Sequence, residues 1–349
     1  MTWLSTPVCD LLGVRYPIVQ TGMGWVSGAR LTAATSQAGG FGILAAVTLD
    51  PAAMVAAVRR VRARTAAPFG VNLRPDQPDL AERIDLLAAE KVPVVSFAGG
   101  PRPHVIGRLH DAGMLSLVTV GRPRHAEKML AAGVDVLIAQ GAEGGGHVGD
   151  IATSLLLPAV VDLAQGRASV LAAGGFFDGR GLAAAIAYGA DGVAMGTRFL
   201  LTRESRVPDV VKRRYLDSGL PDSVVSRALD GQPMRVLPNE ALARAQQRRR
   251  LTRTVRNVVD VRRTTGQSWR QLAREGLALR RRTGLTLGQV SQAADAPMLI
   301  KTALVDGDPV HGLLPTGQVA GYLSDEPTVA ELIDAIVTQA ESVGRRFQG

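Results

Sequence analysis

Residues 139–149 read Ala-Gln-Gly-Ala-Glu-Gly-Gly-Gly-His-Val-Gly and follow the apolar run Val134–Ile138. Successive glycines remove every Cβ, so backbone N–H groups can converge on an anion or a flat ring, with His147 held beside it. An imidazole titrates near pH ~6.5, which suits proton transfer around neutrality. The plain alternative for such a loop is a turn. Two further pairs, Gly174-Gly175 and Gly196-Thr197, each close an apolar run. At the ends of the last two strands of a parallel barrel, such pairs cradle a phosphate with backbone amides. Either pair alone also reads as a tight turn; the two together favour a monophosphate.

Other chemistries lack their residues. No Gly-x-x-x-x-Gly-Lys-Ser/Thr occurs, and no Gly-x-Gly-x-x-Gly follows the first strand with an acid beyond it. The five histidines, His104, His110, His125, His147 and His311, have no metal-binding spacing, so no metal is expected. No Gly-x-Ser-x-Gly elbow is present, and Cys9 precedes the first strand. Pyridoxal phosphate requires a lysine at a strand's carboxyl end, and neither Lys91 nor Lys128 is placed there. FMN, which needs polar contacts around a ring and a phosphate nest, fits best.

The elements that must position these residues alternate. Strands are expected at Tyr16–Thr21, Gly42–Ala46, Phe69–Leu73, Val94–Phe97, Ser116–Val120, Val134–Ala139, Ser169–Ala173 and Gly192–Met195. Between them the spacing predicts helices such as Leu31–Gln37, Ala52–Ala63, Leu80–Ala89, Pro103–Asp111, Arg124–Ala131 and Gly181–Ala187. Several close on glycine, as a left-handed C-cap requires. Eight such repeats favour a (β/α)8 TIM barrel with a helical C-terminal extension; an open flavodoxin-like sheet is the alternative. The expected division is a flavin-binding barrel over 1–204 and a mainly helical, Arg-rich extension over 205–349 that packs back on the barrel and contributes to the substrate pocket.

The 349 residues are 46% hydrophobic but only 4% aromatic, so the core must be aliphatic, as in a parallel sheet covered by helices. A single cysteine fits a reducing compartment. The N-terminal Met-Thr-Trp-Leu-Ser-Thr-Pro lacks a basic segment before an apolar run, and no stretch is long enough to span a bilayer. The expected location is cytoplasmic, with no membrane partner. The net charge of +9 suits an anionic ligand. Thirteen arginines and only two acids, Asp260 and Glu275, lie between residues 241 and 283. That run reads either as a solvated helical face or as an anion-binding surface. Its one aromatic, Trp269, argues against nucleic acid. A homodimer is left open.

With Gln140-Gly-Ala-Glu-Gly-Gly-Gly-His147, Ala172-Ala-Gly-Gly175, Asp178-Gly-Arg-Gly181 and Met195-Gly-Thr-Arg-Phe199 in order, the chain resembles the nitronate monooxygenase, or 2-nitropropane dioxygenase, family over nearly its full length. Pro17-Ile-Val-Gln-Thr-Gly-Met23, Gly70-Val-Asn72 and Gly317-Gln-Val-Ala-Gly321 add to the likeness. That family also includes flavin-dependent enoyl reductases. Gln20-Thr-Gly-Met-Gly-Trp25, Gly174-Gly-Phe-Phe-Asp-Gly-Arg180 and Val210-Val-Lys-Arg-Arg-Tyr215 look most like its actinobacterial steroid-catabolism branch, which acts on a CoA thioester.

The resemblance implies that Gln20, Thr21, Gly22 and Met23 lie beside the isoalloxazine of FMN, with Asn72 and Gln140 on its polar edge. It puts Gly145 and Gly146 against the cofactor and Gly174, Gly175, Gly196 and Thr197 on the phosphate. His147 then faces the substrate, with Trp25 and Gln318 as substrate contacts. Two departures stand out: Gly144 replaces a usual alanine, and Gly22-Met-Gly-Trp25 replaces Met-Ala-Gly-Gly.

The leading expectation is an FMN oxidoreductase acting next to a carbonyl, on a CoA thioester, with hydride transfer to or from the flavin and His147 as acid/base. A neutral hydrogen-bonding role is the alternative for His147. Rival activities are nitronate oxidation with O2, enoyl reduction with NAD(P)H, and flavin binding without catalysis. The Arg-rich run is the expected receiver of CoA phosphates.

Overall fold

The computed structural model describes residues 3–247 and 287–348. Eight strands, β1 (Ile18–Gln20), β2 (Phe41–Ala45), β3 (Phe69–Leu73), β4 (Val94–Phe97), β5 (Leu115–Val120), β6 (Val136–Gln140), β8 (Ser169–Ala173) and β9 (Gly192–Met195), close into a barrel. Every neighbouring pair is parallel, and β9 returns to β1 with Val193 opposite Ile18. The chain is thus a (β/α)8 barrel, and the open flavodoxin-like sheet is set aside.

Alternation along each strand builds two cores. Val19, Ile43, Val94, Leu117, Ile138 and Leu171 fill the interior, while Ile18, Leu44, Val95, Val118, Leu137 and Ala172 pack outward. With both faces covered, the strands read as continuous apolar runs, which made them easy to place from sequence. The short helix Pro7–Leu12 puts Val8 and Leu12 into the interior cluster and so closes the floor. The two αβ turns at Gly113 and Gly133 use the expected left-handed backbone, at φ +70° and +82°.

After β9 comes only one turn of helix, Thr197–Leu200. The chain then leaves the barrel to form the helix Asp209–Leu216 and a small antiparallel sheet. This sheet contains β10 (Val224–Ser226), β11 (Met234–Leu237) and β12 (Leu314–Pro315), with β7 (Gly146–His147) paired to β11. The sequence suggested few β runs here, because strands of two to four residues carry no period-2 pattern. The expected Arg-rich surface falls mostly on residues 248–286, which lie outside the described residues.

The last helix, Val329–Gln348, packs between Gly179–Ala187 and Ala29–Gln37 and takes the eighth place in the outer ring. Its approach is close: a Cβ on Gly179 would lie 2.3 Å from Ile336 O, and Gly179 N donates to Gln339 Oε1 at 2.8 Å. The re-entry is pinned by buried cations. Arg198 pairs with Asp325 at 2.6 Å, and Lys212 bonds Glu326 and, at 2.8 Å, Thr202 O. No helix among the described residues is long and apolar enough to cross a membrane.

Candidate active site

The βα loops enclose a cavity of about 2110 Å3 at the carboxyl ends of the barrel strands. Cofactor and drug-sized pockets are usually ~300–1,000 Å3, so this one can hold a cofactor and a substrate together. Its wall includes Thr21, Gly22 and Met23 from the first loop, with Asn72 after β2 and β3 have brought it inward. Gly22 packs directly on Asn72, since a Cβ there would fall 2.4 Å from Asn72 Cβ. Asn72 is itself fixed by donating to Ser96 O at 3.1 Å.

Gln20 ends β1, beneath the first loop. It is fully buried, and it does not reach the cavity wall. Its Nε2 donates to Ser27 Oγ at 2.9 Å and to Ile43 O at 3.2 Å, while Ser27 Oγ accepts from Met23 N at 2.9 Å. Through these bonds Gln20 braces the first loop from beneath. Trp25 lies on the wall with φ +67°, a left-handed backbone that costs a bulky L-residue about 1–2 kcal/mol. Gln318, expected at the substrate, opens the short 3-10 turn Gln318–Tyr322. Its neighbours Gly317 and Val319 form the wall, whereas Gln318 N is spent on Glu143 O at 2.9 Å.

At the opposite side Gly174 and Gly175, after β8, adopt φ +88° and +91°. The amides of Gly175, Gly196 and Thr197 have no acceptor among the described residues, although all three line the cavity. Backbone donors are rarely left without a partner. Free amides after the last two strands of a barrel are the kind of donor that a phosphate monoester uses.

The glycine-rich loop is stitched to the sheet that follows the barrel. Gly146 and His147 pair with Arg235 and Met234, and Val148 N donates to Pro233 O at 3.0 Å. Gly145 lies so close to the Thr316–Gly317 backbone that a Cβ would fall 2.6 Å from Gly317 N. Gln140 Nε2 donates to His147 O at 2.9 Å, using space that a Cβ on Gly144 would invade at 2.6 Å. Glycine at 144 thus leaves room for the Gln140 amide. Arg235 adds a further clamp, donating from Nη2 to Ala142 O at 2.9 Å.

His147 is 58% exposed toward the cavity, and its Nε2 sits 2.5 Å from Asp230 Oδ2, whose side chain is 13% exposed. The other carboxylate oxygen accepts from Gln232 N at 2.9 Å. Burial pushes the Asp230 carboxyl up, but the hydrogen bond to His147, the His147 charge and the Gln232 amide together hold it below the ordinary aspartate value. Because an ionised carboxylate only accepts, Nε2 carries a proton and Nδ1 is the nitrogen left for exchange. Nδ1 makes no hydrogen bond among the described residues. Sequence reasoning missed Asp230. It is 83 residues from His147 in an Asp-Gly turn, and such a dipeptide signals a turn and nothing more.

A family model described as nitronate monooxygenase matches residues 5–85 and 80–339. The chain is 50% identical over 341 residues to "(3aS,4S,5R,7aS)-5-hydroxy-7a-methyl-1-oxo-octahydro-1H-indene-4-carboxyl-CoA dehydrogenase" of Mycobacterium tuberculosis, covering 97% of this chain and 96% of that one. It is 48% identical to the protein of the same name from Rhodococcus jostii, covering 97% of each. Among solved structures, FabK from Thermotoga maritima superposes with a TM-score of 0.81 at 31% identity, over 99% of this chain and 98% of that one.

Proposed function

The chain belongs to the nitronate monooxygenase family of flavin-dependent oxidoreductases, and on that premise we propose that its flavin is FMN and its substrate a CoA thioester, oxidised or reduced next to the carbonyl. The observation that carries this reading is the Asp230–His147 pair, whose imidazole stands on the wall of a cavity that also presents free amides for one phosphate. A single monophosphate nest, without a dinucleotide fingerprint, supports FMN over FAD or a resident NAD.

Gly175, Gly196 and Thr197 hold the phosphate through their amides. Gly22, Met23, Asn72 and Gly145 border the ring. Bound there, the flavin supplies hydride chemistry. The chain supplies the proton site: His147 Nδ1 takes or returns a proton at the substrate while Asp230 fixes the ring through Nε2 and stabilises the cation that forms. The backbone clamps from Gln140, Arg235 and β11 keep that ring in one place. The names of the two close relatives put a hydroxyl on the ring carbon next to the one bearing the carboxyl-CoA group, a substrate whose oxidation releases one hydride and one proton.

Anaerobic titration tests the proposal. The visible flavin band of the purified protein should bleach on adding a hydroxyacyl-CoA thioester of this kind. Bleaching by an alkyl nitronate alone would establish the second reading, nitronate oxidation, which the family model favours. Bleaching by NAD(P)H would point to enoyl reduction. Cofactor released by heat should be FMN on chromatography, and FAD would overturn that part.

A further inference from the structure

One group of side chains on the cavity wall takes no part in holding His147 or the phosphate nest. The helix Pro123–Ala131 begins immediately after the loop that follows β5; Arg122 stands at its N-cap, Arg124 and His125 in its first turn and Lys128 in its last, all on the wall. Arg122 is paired with Asp150 at 2.9 Å, but Arg124 and Lys128 have no carboxylate partner among the described residues. Arg124 and Lys128 are exposed. His125 is held below the usual imidazole range by burial and by the charges of Arg124, Arg122 and Lys128. The wall at this point is a concentrated positive field.

That field is unfavourable to the folded protein on its own. Arg122 and Arg124, at the start of the helix, oppose the partial positive charge of its free N–H groups, whereas Lys128 lies in its last turn. Among the described residues of the wall, the charged side chains are the cations Arg74, Arg122, Arg124, Lys128, Arg227 and Arg235 and the acids Glu143 and Asp150. Glu143 is already spent on Thr153, Asp150 on Arg122, and Arg74 on Asp76, which leaves Arg124 and Lys128 as the cations of the helix without a carboxylate partner among the described residues. An imbalance of this kind inside a substrate cavity, where local rules of helix stability are broken, marks a place where a polyanion binds.

The location connects the field to the reacting end. Gly121 and Gly149 are in backbone contact, so that a Cβ on Gly149 would fall 2.8 Å from Gly121 O. Asp150, the partner of Arg122, is three residues from His147 on the same loop. Three extended residues span at most about 11 Å, so a ligand held at the cationic face can extend an arm to the imidazole.

Resting on the CoA-thioester reading above, we propose that Arg122, Arg124 and Lys128 form the binding site for the phosphate groups of CoA, the diphosphate and the 3′-phosphomonoester. Arg forks meet phosphate oxygens with paired hydrogen bonds, and Lys128, one helical turn beyond Arg124, adds a third charge to the same face. This assigns the nucleotide handle to the barrel itself, whatever the residues 248–286 contribute.

The test is calorimetric binding of CoASH, pantetheine and NADPH to the flavin-loaded protein, for the wild type and for Arg124→Glu/Lys128→Glu. The expected result is a wild type that prefers CoASH to pantetheine, and a variant that binds CoASH about tenfold or more weakly while pantetheine is unchanged. Retained flavin absorbance and an unchanged thermal midpoint show that the variant is folded, and Arg124→Gln/Lys128→Gln should give a smaller loss of the same kind. A variant that keeps the wild-type preference for CoASH would overturn the site while leaving the substrate reading intact. A loss of NADPH affinity with CoASH unaffected would overturn it in favour of a nicotinamide nucleotide. A wild type indifferent between CoASH and pantetheine would also overturn it, whereas the substrate reading is judged separately by whether the acyl-CoA bleaches the flavin.

Discussion

Asp230 Oδ2 lies 2.5 Å from His147 Nε2 and joins a carboxylate from the segment after the barrel to the imidazole of the loop after β6. The pair gives the two residues different duties, which mutation can separate. His147→Ala should keep the flavin bound and lower turnover by roughly 10²–10⁴-fold, the share of a positioned acid/base. The check is the rate of anaerobic flavin reduction by acyl-CoA; an unchanged rate removes the proton role.

Asp230→Asn keeps a hydrogen-bonding group beside His147 Nε2 but loses the carboxylate that fixes which ring nitrogen carries the proton. We expect kcat to fall about tenfold, a part of the full acid/base contribution, with KM nearly constant. Steady-state kinetics across pH separates this from a structural lesion, which would alter KM and flavin content alike.

The same carboxyl makes a prediction about stability. Burial pulls it upward, but the hydrogen bond and charge of His147 prevail and leave it below its ordinary 3.8. A carboxyl depressed on folding contributes stability above its unfolded value and loses that contribution as pH falls through its folded value. The wild type should therefore lose stability from about pH 4 downward more steeply than Asp230→Asn. Denaturant midpoints measured at intervals of pH will show two diverging curves, and parallel curves would refute the depressed carboxyl.

These behaviours were only half legible in the sequence. Phe69–Leu73, Val94–Phe97, Ser169–Ala173 and Gly192–Met195 fall where the apolar runs placed them, because a strand buried on both faces leaves an unbroken aliphatic signature. His147 stood out as the only histidine in a glycine loop. Gln20 and Gln318 were named from motifs, and a motif names a stretch of chain, whereas whether a side chain or its neighbour reaches the cavity depends on the turn of the backbone at that residue. Asp230 and β7 were invisible, since a two-residue strand has no periodicity and its partner arrives 83 residues later.

Close packing around the loop gives a separate test. Gly145 has no room for a methyl group, because the Thr316–Gly317 backbone occupies the space at 2.6 Å. Gly145→Ala must push two backbone segments apart, at about 1–3 kcal/mol, and should weaken flavin retention. Gly146 has open space but φ +67°, so Gly146→Ala should cost about 1–2 kcal/mol by strain alone and leave the Thr316 contact in place. Thermal midpoints and flavin content of the two variants distinguish a clash from strain, and equal flavin loss in both would argue against the close approach.

The last helix provides the remaining prediction. If Val329–Gln348 were an appendage, removing a side chain from it would leave the barrel untouched. It instead fills the gap in the outer ring, with Leu332, Ile333 and Ile336 in the main core and Ile336 only 2% exposed. Ile336→Ala deletes methyl groups that face the barrel and should cost about 2–5 kcal/mol, with the exposed Asp334→Ala as the neutral control. Both are read from denaturant unfolding of the flavin-loaded protein. Because the barrel and this helix share one core, the loss should appear as a single shifted transition; a separate early transition that leaves flavin absorbance intact would mean that the barrel stands without its eighth helix.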